Sequence, residues 1–117
     1  MIQSERREMP RRDIVYQISY ECFNARGEKV DVGTARTVNI SGRGALIEMS
    51  RGVDLDASLI LWIQGPFHMV LVKGAVVHSR LANDGSFHVG VRLMDIIEGT
   101  WEIWERIAQT RLEEERP

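Results

Sequence analysis

The chain is poor in several of the residues that would narrow its chemistry at once. Cys22 is the single cysteine among 117 residues, so no intrachain disulfide can form, and a lone thiol is a small core residue more often than a nucleophile. That agrees with a reducing compartment, and the expectation is a cytoplasmic protein. No run approaches the roughly 18 uninterrupted apolar residues that a membrane-spanning helix needs, and the charged start has no apolar stretch of the secretory kind. A large excess of one charge is missing too, with 15 Lys and Arg against 17 Asp and Glu, a formal net charge of −2. Non-specific duplex binding draws on many neutralised phosphates, so this balance argues against a protein that coats DNA.

Catalytic signatures are equally scarce. There is no elbow-type serine, no pair of carboxylates in an obvious pocket-forming loop and no partner for Cys22, so an enzyme is not expected. His68, His78 and His88 each fall on a different stretch, whereas zinc sites use close ligand pairs within one turn, so no metal is expected. The glycines of "NISGRG" are too few for a nucleotide fingerprint, which also needs a helix after the loop, and a strand follows instead.

What is present reads as one β-rich domain, with 44% hydrophobic and 27% charged residues. Tyr16, Ile18, Tyr20 and Cys22 alternate with Gln17, Ser19 and Glu21, the parity of a half-buried strand. Turn residues from Asn24 to Glu28 lead into Val30, Val32, Thr34 and Thr37, a second strand that pairs with the first. "ALIEM" forms a third, and "SLILWI" and "HMVLVKGAVVHSRL" flank the turn at Gln64, Gly65 and Pro66, with Gly74 marking a bend or bulge. Asn83, Asp84 and Gly85 give a strong hairpin signal before Phe87, Val89, Val91 and Leu93.

Beyond Asp95 the period changes to steps of three and four through Trp101, Trp104, Ala108 and Leu112, predicting a helix whose tryptophans pack on the sheet. Its start is either a capping-box variant at Asp95 to Glu98 or an N-cap at Thr100. About six short strands and one helix predict an all-β fold, a closed or nearly closed antiparallel barrel that hides its strand edges. The expected division is a single domain over 1–117, with a flexible arginine arm over 1–13, the barrel over 14–94 and the C-terminal α-helix over 96–114.

Two stretches stand out against this frame. Arg6, Arg7, Arg11 and Arg12 cluster before the first strand, and Asn39-Ile40-Ser41-Gly42-Arg43-Gly44 joins the second strand to the third. Arginine's planar fork binds phosphate bidentately and its flat face stacks on a purine, so such an arm can grip a nucleotide. Asn39 and Ser41, two apart in an extended segment, project to one side and can hydrogen-bond a base edge or a phosphate. Taken singly, each half is also what solvated termini and an Asx-type turn look like.

In order and spacing, the two stretches resemble the PilZ domain family, whose signature is Arg-x-x-x-Arg before the first strand and later Asp/Asn-x-Ser-x-x-Gly. Arg7-Glu8-Met9-Pro10-Arg11 matches the first part and Asn39 to Gly44 the second, while "HVGVRLMDI" is similar to the closing strand. The resemblance implies a six-stranded barrel that serves as a bacterial receptor for the second messenger cyclic di-GMP. It implies a downstream protein partner and no cofactor; no membrane insertion is expected from the lack of long apolar runs, and the apolar helix stripe leaves monomer or homodimer open. Carried over, Arg7 and Arg11 would contact the ligand's phosphates and guanines with Arg6 as a third contact, Asn39 and Ser41 would bond guanine or phosphate, and Gly44 would keep the turn free of a side chain. Arg12 and Arg43 are lesser candidates, as are His78 and Arg80, which lie where relatives place an aromatic or basic residue. Asn39 stands where the family more often has Asp. The alternatives are a PilZ-fold adaptor that has lost its ligand and an RNA binder, the latter short of an aromatic platform for base stacking.

Overall fold

The computed structural model describes residues 15–65 and 68–109. The first strand, β1 (Gln17–Phe23), buries Ile18, Tyr20 and Cys22 and exposes the residues between them to varying degree, as its alternation demands. Asn24 closes the turn after it: its Oδ1 accepts the N–H groups of Arg26 (2.9 Å) and Glu28 (3.0 Å). Gly27 takes the left-handed backbone there, with φ 83°. The chain returns in β2 (Lys29–Ser41), continues through β3 (Gly44–Met49), β4 (Ser58–Gln64) and β5 (Met69–Leu81), and ends its strands with β6 (Phe87–Glu98). All pairs are antiparallel, and the order β1-β2-β3-β6-β5-β4 closes into a barrel.

The long strands achieve closure by changing partners. From Lys29 to Arg36, β2 pairs with β1, and from Arg36 to Ser41 with β3. Strand β5 pairs with β4 only as far as Ala75, and beyond it the described ladder partner of β5 is β6. Its pairing with β6 shifts register at Leu71/Val72, Lys73/Gly74 and Val76/His78, and at the second of these a Cβ on Gly74 would come within 2.3 Å of Val91. Ile47, Met49, Leu59, Leu61, Ile63, Val70, Val72 and Val89 fill the interior with almost no exposure.

Thr37 is the one polar side chain buried among the described residues. Its hydroxyl accepts the Tyr16 N–H at 2.8 Å, and the Thr37 N–H donates to the Tyr16 carbonyl at 2.9 Å, so the chain is tied to β2 just before β1 begins. Thr37→Val keeps the volume but orphans the Tyr16 N–H. The expected result is a loss of about 1–3 kcal/mol, measured by urea unfolding.

The helix α1 (Trp101–Gln109) starts later than the 96–114 expected from the periodicity. Residues 96–98 belong to β6, where Ile96 and Glu98 still pair with β5. Gly99, at φ 101°, breaks the strand, and Thr100 caps the helix by accepting the Ile103 N–H at 3.2 Å. Of the two starts open to the sequence, the structure takes Thr100. Trp104 is wholly buried, but Trp101 is 36% exposed. The expectation that both pack into the core is corrected for Trp101, which lies in the first turn.

Candidate ligand-binding site

The second strand does not run straight into its motif. Thr37 pairs with Ile47 and Asn39 with Leu46, so Val38 is an extra residue, a β-bulge. Thr37 faces the core, and strict alternation would send Asn39 inward as well. The bulge re-aims the chain, so that Asn39 and Ser41 are both exposed while Ile40 is buried. The shared side expected from their spacing is an outer face, set by one inserted residue.

Gly44 pairs with Ser41 on one side and Arg92 on the other. A Cβ at Gly44 would stand 2.7 Å from the Val91 carbonyl oxygen, a contact that backbone cannot relieve without moving. Gly44 is therefore needed for the close approach of β3 to β6. Its φ is not positive, so the requirement is one of space, not of backbone conformation. Arg43 is anchored at its carbonyl, which accepts the Leu93 N–H at 2.8 Å, and its guanidinium lies 4.5 Å from the centre of the Trp101 ring.

The helix holds this turn from the other side. The Trp104 indole N–H is shared between the carbonyls of Ser41 (3.0 Å) and Gly42 (3.1 Å). With Trp104 seated there, Glu105, Ala108 and Gln109 line an open cleft of about 460 Å³ whose opposite wall is Asn39 to Gly42.

The other candidates are spread more widely. His78 is level with Asn39 along the row Asn39, Leu46, Gly90, His78, three strand spacings away, or about 14 Å. It lies over Gly90, where a Cβ would meet its Nε2 at 2.4 Å. Arg80 pairs with His88, further from the motif, beside the Asn83 to Gly85 turn. Arg6, Arg7, Arg11 and Arg12 lie outside the described residues. Among the described residues no three His, Cys, Asp or Glu side chains are grouped to hold a metal, and no helix is long and apolar enough to cross a membrane.

Two neighbours of the motif were missed by sequence reasoning. Arg92, exposed on β6, sits directly opposite Gly44. Its outward parity in "HVGVRL" was visible, but its neighbour across the sheet depends on register. Glu105 enters through helix placement, which leaves no local mark. Arg36 is nearby but engaged: it donates from Nε at 3.0 Å and from Nη2 to the Glu48 carboxylate. Those donors, with Ser86, hold the Glu48 carboxyl below its ordinary range.

An exposed Asn and Ser on a bulged strand, a glycine forced by close approach and an arginine facing it form one continuous surface. A scan against protein families matches residues 5–109 to the PilZ domain. The chain belongs to the PilZ domain family. PilZ domains as a class bind cyclic di-GMP and act as binding modules, and the closed barrel described here is the fold expected of one. A search of curated proteins finds no match.

Proposed function

We propose that this PilZ domain is a cyclic di-GMP receptor that changes shape on binding and thereby alters the surface it offers to a partner protein. The observation that carries the reading is the outward, preorganised placement of Asn39 and Ser41, fixed by the Val38 bulge and by the Trp104 indole. Preorganised polar groups lose little freedom on binding.

Arg6, Arg7 and Arg11 are the proposed phosphate and guanine contacts, with Arg12 and Arg43 in support. Tyr16 is hydrogen-bonded to Thr37, two residues from Asn39, so the chain enters β1 beside the motif. Arg11 precedes Val15 by four residues in the sequence, a span of at most about 14 Å. Arg92 adds positive charge on the barrel wall. An anionic ligand neutralises arginines that otherwise repel one another, so binding draws them against the barrel, and this is the proposed switch.

The test is calorimetric titration of the full chain with cyclic di-GMP, using GMP and cyclic di-AMP as controls. Specific, saturable binding is expected. A hydrogen bond to a charged group contributes about 1.5–3 kcal/mol, so replacing both Arg7 and Arg11 by Ala should weaken binding about 100-fold or more at an unchanged melting temperature. Unchanged affinity would remove those residues from the site. Absence of binding by the wild type would favour an adaptor that has lost its ligand.

A further inference from the structure

The geometry points to Glu105 as the residue that selects guanine in this site, an inference that rests on the receptor reading above. Among the described residues Glu105 is the only charged side chain lining the cleft beside Asn39 and Ser41. It is exposed, and it directly follows Trp104, whose indole holds the carbonyls of Ser41 and Gly42. The helix therefore presents a carboxylate across the cleft from the motif, and the same bond that fixes the turn fixes the helix residue facing it.

The chemistry of that carboxylate is specific. An ionised carboxylate only accepts, through two adjacent oxygens. Guanine's N1–H and 2-amino group are adjacent donors and match it, whereas adenine presents a ring-nitrogen lone pair beside its amine, which a carboxylate repels. Asn39 supplies a single acceptor and brings an amide NH₂ that can only donate. Where a motif Asp would supply the paired acceptor, this chain has the amide, and Glu105 provides a carboxylate in the same cleft.

Repulsion by the ligand's phosphates does not cancel the gain. Two unit charges about 8 Å apart interact only weakly in water, by less than a single hydrogen bond to a charged acceptor. Arg92, opposite Gly44, offsets the phosphate charge further.

The experiment titrates the full chain and its Glu105→Gln variant with cyclic di-GMP, with cyclic di-IMP, which lacks only the 2-amino groups, and with cyclic di-AMP. Wild type should bind cyclic di-GMP at least about 10-fold more tightly than cyclic di-IMP. Glu105→Gln should lose about 10-fold or more for cyclic di-GMP and no longer separate the two, with its melting temperature unchanged because the side chain is exposed. Adding Asn39→Asp to that variant should recover affinity by restoring a carboxylate. The inference is overturned if Glu105→Gln binds cyclic di-GMP like the wild type, or loses affinity yet still discriminates between the two ligands. A wild type that binds no cyclic dinucleotide overturns the receptor reading itself, and this inference with it, a pattern distinct from the other two.

Discussion

Trp104→Ala is expected to be the most destabilising single substitution near the site. The side chain is wholly buried between helix and barrel, and emptying such a volume costs about 3–5 kcal/mol, a large share of the roughly 5–15 kcal/mol that holds a domain together. The carbonyls of Ser41 and Gly42 lose their shared donor in the same step. Thermal unfolding should fall by well over about 10 °C, given about 4–8 °C per kcal/mol in a small domain. Trp104→Phe separates the two roles. It retains most of the apolar surface and removes only the N–H, so stability should drop by about 1 kcal/mol while cyclic di-GMP affinity falls disproportionately, because the turn is no longer pinned. If the Phe variant binds as the wild type does, the indole serves packing alone.

Gly44→Ala should act on binding more than on stability. The added methyl would press on the Val91 carbonyl oxygen, 2.7 Å away, and relief requires β3 to shift from β6 at the row that carries Ser41 and Arg92. Overpacking of this kind costs about 1–3 kcal/mol, a moderate fall in melting temperature with the barrel retained. Positioning errors near 1 Å degrade a preorganised site steeply, so affinity for cyclic di-GMP should fall by at least about 10-fold. Backbone amide spectra of the variant should show shifts concentrated on residues 41–46 and 90–93. Shifts spread over the whole barrel would mean that the strain is absorbed elsewhere and that Gly44 matters for the fold as a whole.

The parts of this molecule legible in the sequence are those that repeat. Alternation in β1 was readable because each second residue is buried, and the hairpin between β5 and β6 because Gly85 must take a positive φ of 89°. The helix period was equally plain from Trp104 to Ala108. Features that occur once were not. A bulge adds a single residue, Val38, with no compositional trace, yet it decides that Asn39 faces outward. The two tryptophans of the helix looked alike, but Trp104 reaches the turn while Trp101 takes the Arg43 guanidinium. Register and helix docking bring Arg92 and Glu105 to the motif, and both are set by packing over long separations in the chain.

The partner change of β5 carries a consequence for self-association. Beyond Ala75 that strand is no longer covered by β4, and an uncovered strand margin is a template on which another chain can polymerise. Several features blunt it here: the Val76 N–H donates back to Ala57 at 3.1 Å, pairing is kinked between Val76 and His78, the Val53 N–H donates to the Ser79 hydroxyl at 3.3 Å, and the exposed Arg80 adds charge. The one-sided margin of β5 is in this way guarded against strand addition by irregularity and charge.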